Sequence, residues 1–274
     1  MRIGRYRGPD GGERLGVVLG DASGPQRVLD LGAALAAWGH TAFDNTMDAL
    51  IESGERGLQA ARDALERAQR EGEDRWFMHE PGVPWMVPVR VRNCIAGGRN
   101  FAAHRAETLE YWTKQGAKLH SEIPMAFVKL ASVMVPTRSV VKRPPETEWF
   151  DYEVEATAVI GRACERVSEE RALDAVFGYT ILNDLSAREL QRKEMANQSI
   201  LIGKNFPGFG PLGPWITTAD ELPDPSVMEV ELRVNGELRQ QADCRDLIFQ
   251  CAISLGNGKI RSRQSACWRS SPLT

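Results

Sequence analysis

From residue 89 onward this chain is punctuated as a run of short strands, and that most limits what it can fold into. Val89–Ala96, Met125–Val128, Tyr152–Ile160, Thr180–Leu182 and Val227–Val234 are apolar or alternating segments of strand length. The last alternates cleanly, with Val230, Leu232 and Val234 on one face and Glu229, Glu231 and Arg233 on the other. It runs into Asn235-Gly236, the strongest short-range hairpin signal. Helical patterning between these segments is confined to 102–115, 168–176 and 186–194. Strands outnumber helices and many connections are short. The pattern therefore predicts an α+β, mostly β chain with a curled, largely antiparallel sheet, not a doubly wound parallel one.

Residues 1–88 read as a small leading α/β domain. Leu15-Gly-Val-Val-Leu-Gly20 is strand-like and closed by a glycine turn. Residues 46–71 carry helical periodicity, with Leu58, Ala61, Leu65 and Ala68 on one face and Glu55, Arg62, Glu66 and Arg70 around the rest. Pro81, Pro84 and Pro88 then mark a boundary. A second domain spans 89–249. Residues 250–274 break the texture: they hold Lys259, Arg261, Arg263 and Arg269, no acid, and no clear period. They read as an atypical basic tail outside the preceding core.

Charge narrows the function classes. Lys plus Arg is 34 against 37 Asp plus Glu, a formal net charge of −3, which gives a nucleic-acid partner little to hold. No apolar run approaches the ~18 residues of a membrane span. The first twenty residues lack the apolar stretch of a secretion signal. The five cysteines are scattered without a C-x-x-C pair, so neither a disulfide framework nor a zinc ribbon is expected, and a reducing cytoplasm is.

Four local features could carry chemistry. Asp151-Tyr-Glu-Val-Glu155 places Glu153 and Glu155 two apart, hence on one face of a strand. Adjacent carboxylates repel unless a cation lies between them, and all-oxygen donors suit a hard ion such as Mg²⁺, Mn²⁺ or Ca²⁺. An exposed strand face of solvated acids is the alternative. Asn183-Asp184 follows an apolar strand, and Asp184, Arg188 and Gln191 would share one face of a continuous helix. That face could hold a metal and an anionic substrate, or be no more than a polar surface with Asp184 as a helix cap. His104 and Glu107 are i, i+3 neighbours on a predicted helix after Gly97-Gly98, the arrangement of a general base or of a simple surface contact. Lys204, in a loop rich in Gly and Pro, could bind a carboxylate or be an ordinary turn lysine; the loop lacks the upstream glycine and following Ser/Thr of a phosphate loop. His40, His79 and His120 have no comparable setting.

Taken in order, these features resemble one family. Gly98-Arg-Asn-Phe-x-x-His104-x-x-Glu107, Pro124-x-x-Phe127-x-Lys129, Asp151-Tyr-Glu-x-Glu155, Asn183-Asp184-x-Ser-x-Arg188-x-x-Gln191, Gly203-Lys-x-Phe206 and Gly213-Pro-Trp215 resemble the fumarylacetoacetate hydrolase family across roughly residues 89–249. The resemblance implies a twisted, mixed β-roll, with a homodimer expected. It implies Mg²⁺ or Mn²⁺ (Ca²⁺ being a further option) on Glu153, Glu155 and Asp184, and a catalytic His104–Glu107 dyad helped by Lys204. It implies substrate contacts from Arg188, Gln191 and Lys129. The activity it implies is C–C bond hydrolysis of small 2,4-dioxo acids through an enolate, or isomerisation or decarboxylation of related 2-oxo acids. Such members continue with T-L-x-P-G-D and G-T-P-x-G stretches that close the roll, and Gln250–Thr274 contains neither. A truncated or frame-shifted, non-catalytic product is accordingly the further alternative.

Overall fold

A computed structural model describes residues 1–21, 24–40, 42–72, 74–98, 100–101, 125–165 and 167–248, together with the backbone of 266–267. Strands β1 (Arg2–Arg7), β2 (Glu13–Leu19) and β3 (Arg27–Asp30) form an antiparallel meander. Helices α1 (Leu31–Ala37), α2 (Met47–Ser53) and α3 (Glu55–Arg70) pack on it before β4 (Phe77–His79) pairs back with β3. Then come β5 (Cys94–Gly98), β6 (Met125–Lys129), β7 (Met134–Pro136), β8 (Phe150–Asp151) and β9 (Val154–Ile160). A single turn, α4 (Glu169–Ala172), leads to β10 (Val176–Asn183), β11 (Ser186–Ala187) and α5 (Arg188–Ala196). The remaining elements are β12 (Gly210–Leu212), β13 (Ile216–Thr218), β14 (Glu229–Val234), β15 (Glu237–Asp243) and β16 (Ala266–Cys267).

The main sheet runs β16-β9-β10-β13-β1-β2-β3-β4, with β12 beside β10 and β7 parallel to β12. It is a mixed, mostly antiparallel sheet with few helices, as the strand pattern predicts. This sheet passes straight through the division expected at residue 88, because β1 pairs with β13. The core does the same: Ile3, Leu15, Leu29 and Leu50 share one apolar cluster with Val159, Phe177 and Ile216. Among the described residues no helix is long and apolar enough to cross a membrane.

Local chemistry explains several departures from the sequence pattern. The single helix expected over 46–71 is two, broken where Gly54 takes φ 58°. Thr46 caps the first, its Oγ1 accepting from the Ala49 N–H at 3.2 Å. The predicted apolar face of α3 is correct, with Leu58, Ala61 and Ala68 buried. The strand expected from Val89 begins only at Cys94. The helix expected over 168–176 is reduced to α4 and a tight 3₁₀ turn. The Asn235-Gly236 hairpin forms as expected, both residues at positive φ (53° and 85°), the geometry of a type I′ turn.

Candidate metal centre

Strand pairing brings the three acids together. In the β9–β10 ladder Glu155 stands opposite Leu182, and Val154 opposite Asn183, so Asp184 emerges beside the E-x-E pair. The Asp184 N–H donates to the Glu153 carbonyl at 2.8 Å, and the Glu153 N–H donates to Asn183 Oδ1 at 3.2 Å. Each of Glu153, Glu155 and Asp184 then offers an oxygen within 4.8 Å of the others. Their exposures are 2 %, 0 % and 0 %. The reading of Glu153 and Glu155 as solvated acids on an exposed strand face is thereby excluded.

Burying carboxylates this deeply is costly unless cations and donors compensate. Lys204, at the end of a 3₁₀ turn and fully buried, donates to Glu153 Oε2 at 2.6 Å, Asp184 Oδ2 at 2.9 Å and Ser186 Oγ at 2.6 Å. Lys129, also fully buried, pairs with the other Asp184 oxygen and donates to the Leu185 and Lys204 carbonyls. Burial raises the Asp184 carboxyl, but the two lysines outweigh it and hold the group below its ordinary range. Burial also pushes the Lys204 ammonium down to about 8, against the pull of Asp184.

Arg188 completes the network. Its guanidinium reaches Asp151 Oδ2 at 2.6 Å, Glu153 Oε1 at 2.6 Å and Gln191 Oε1 at 2.8 Å. Arg188 and Gln191 lie on α5, as expected, but Asp184 does not share that helix. The chain stays extended through Ser186-Ala187, which pair with Phe150–Asp151, and the helix starts only at Arg188. Asp184 joins the site through the end of β10 instead. His104 and Glu107 lie outside the described residues.

Sequence reasoning assigned no role to Ser186, Asp151 or Asn183. The Asn-Asp-x-Ser spacing is a retrievable signal for two of them, since both flank Asp184. Glu194 is another such residue: its carboxylate accepts from the Leu201, Ile202 and Gly203 N–H groups at 3.1, 2.6 and 2.8 Å, fixing the loop that carries Lys204.

The candidate donors are three buried carboxylates, each offering one oxygen, with no nitrogen or sulfur among them. They fit a hard divalent cation of the Mg²⁺, Mn²⁺ or Ca²⁺ type and not a thiophilic one. Fold and site together define a β-roll protein with a buried cluster of three carboxylates.

Comparison with known proteins gives the lineage. Residues 93–255 match the family model described as fumarylacetoacetate (FAA) hydrolase C-terminal, so the chain belongs to the fumarylacetoacetate hydrolase family. It is 31 % identical over 252 residues to the mitochondrial oxaloacetate tautomerase fahd2 of Xenopus laevis, covering 91 % of this chain and 72 % of the relative. It is 33 % identical to the oxaloacetate tautomerase YisK of Bacillus subtilis over 73 % of this chain and 65 % of the relative. Its fold is similar to maleylpyruvate hydrolase from Sphingobium sp. SYK-6, solved with manganese(II) and pyruvate, at 26 % identity and a TM-score of 0.70. That match covers 98 % of this chain and 87 % of the other. Hydrolases and tautomerases are thus both among its relatives, and enzymatic activity is the shared inheritance.

Proposed function

We propose that this chain is a divalent-metal-dependent enzyme acting on small 2-oxo or 2,4-dioxo carboxylic acids. The observation that carries the reading is the cluster of three buried carboxylates with ligand oxygens within 4.8 Å of one another. Glu153, Glu155 and Asp184 would hold the cation. When bound, such an ion supplies Lewis-acid chemistry: it polarises a 2-oxo carbonyl and offsets the negative charge of an enolate.

The chain's own residues do the rest. Lys204 Nζ, already donating to Glu153 and Asp184, stands ready to stabilise a developing oxyanion. Arg188 and Gln191, held against each other at 2.8 Å, present donors to a substrate carboxylate, and Lys129 balances the charge of Asp184 from the opposite side. In a hydrolytic reaction His104 takes the proton of the attacking water and Glu107 steadies the imidazolium. C–C hydrolysis of an acylpyruvate-type acid is the reaction proposed first, and a homodimer the assembly proposed with it. A second reading, keto–enol tautomerisation of an oxaloacetate-like acid, is favoured by the two tautomerases at 31 % and 33 % identity. It uses the same residues without delivery of water.

The test is a panel of acylpyruvates and oxaloacetate, assayed with Mg²⁺ or Mn²⁺ and again after exhaustive chelation. Turnover of one class that vanishes on chelation and returns with the ion is the expected result. Equal turnover with and without chelation refutes the metal-dependent reading.

A further inference from the structure

The hairpin β14–β15 stands more than seventy residues after the E-x-E segment, yet it reaches back to hold it. Gln240, on β15, is 3 % exposed. Its Oε1 accepts from the Val154 N–H at 2.9 Å and its Nε2 donates to the Tyr152 carbonyl at 3.3 Å. Tyr152 and Val154 are the two neighbours of Glu153, and Val154 is the link between Glu153 and Glu155. On the other side of this segment, the Glu153 N–H and carbonyl are taken by Asn183 Oδ1 and the Asp184 N–H. The strand β16 that flanks β9 pairs at Thr157 and Ala158, further along, so at Val154 the outer edge of β9 is met by the Gln240 amide. A primary amide offers one acceptor and a donor in one plane, which is what an adjoining strand would offer.

We infer that Gln240 is a positioning residue for the Glu153–Glu155 pair, a side-chain substitute for a neighbouring strand that fixes the backbone from which two of the three acids project. The inference rests on the metal-binding reading of those acids. Groups that orient ligands without touching the ion are commonly worth 10–100-fold in metal affinity, through the geometry they impose. Gln240 acts on backbone rather than on the carboxylates themselves, so the lower end of that range, about tenfold, is expected.

The measurement is direct Mn²⁺ binding, by calorimetry or by the electron paramagnetic resonance of free Mn²⁺, on the full chain well below its melting temperature. Gln240→Met keeps length and removes both hydrogen bonds; Gln240→Asn keeps the amide but is one methylene too short to span Tyr152 and Val154. Val230→Ala serves as the control. Val230→Ala removes apolar packing from the cluster that Val230 shares with Val154 while leaving both Gln240 hydrogen bonds in place, so it separates loss of packing from loss of the clamp. About tenfold weaker Mn²⁺ binding in both Gln240 variants, with Val230→Ala near wild type, is the expected outcome. Faster amide exchange at Val154 in the same variants supports it independently. Wild-type affinity in whichever Gln240 variant folds, or an equal loss in Val230→Ala, overturns the inference and leaves the metal reading standing. A wild-type chain that binds no Mn²⁺ overturns both.

Discussion

Two parts of this molecule are equally shielded from water and are built on opposite principles. Under α1–α3, the fully buried side chains include Ile3, Leu15, Val17, Leu29, Leu31, Met47 and Leu50. At the start of β9 and the end of β10, the fully buried side chains include Lys129, Glu155, Asp184 and Lys204. The first set gains free energy from leaving water, about 25 cal/mol per Å² of apolar surface. The second loses hydration and recovers it only through mutual pairing, so a well-packed apolar replacement would often be no less stable. The apolar cluster is explained by what it holds up, whereas under the proposed function the polar one is explained by what it binds.

The contrast can be broken most sharply at Asp184. Asp184→Ala leaves Lys129 and Lys204 facing each other across a lost counter-charge. It should cost about 3 kcal/mol in urea denaturation and abolish turnover together. Mn²⁺ at a hundred times its dissociation constant should stabilise the wild-type chain by about 2.7 kcal/mol and leave this variant unmoved. A variant of wild-type stability would mean that the buried charges are not interdependent.

Leu50→Ala probes the other region. A fully buried leucine in the α1–α3 core should cost about 2–5 kcal/mol of stability through lost burial and the cavity left behind. Mn²⁺ affinity of the folded fraction should stay within about twofold, because the site shares no side chain with that cluster. A large loss of affinity would show that the two regions are energetically one.

The smallest effect expected is at Glu189, which ties the segment before β8 to the first turn of α5. Its carboxylate accepts from the Thr147 hydroxyl and from the Glu148 and Trp149 N–H groups, and these hydrogen bonds hold it down to about 2 from an ordinary 4.5. A depressed folded value means the stabilisation is complete above the ordinary carboxylate range and is lost as pH falls through about 2. Urea midpoints of wild type and Glu189→Gln should differ at pH 6 and converge between pH 4.5 and 2. A pH-independent difference would remove the carboxylate from the explanation.

How much of this was legible in the chain depends on the range of the interactions. The E-x-E spacing puts two acids on one strand face by local geometry alone, and Asn235-Gly236 fixes a hairpin from two residues. Asp184 ends a strand as its setting suggests, but the helix expected from 186 starts only at Arg188: Ser186 and Ala187 are claimed by Phe150 and Asp151, and pairing overrides helical spacing. The division at Pro88 followed a real change of texture, but nothing near it could announce that β1 would find β13.

Residue types and their short-range order determined the strand content, the hairpin, the amphipathic α3 and the acids as candidate ligands, because period and turn chemistry act over a few residues. Only the tertiary structure decided that Lys129 and Lys204, 75 positions apart, would meet on either side of one carboxylate, and that Gln240 would close on Tyr152 and Val154. Those contacts depend on which strand edges come to lie together, and sheet pairing over long separations is settled by the packing of the whole core.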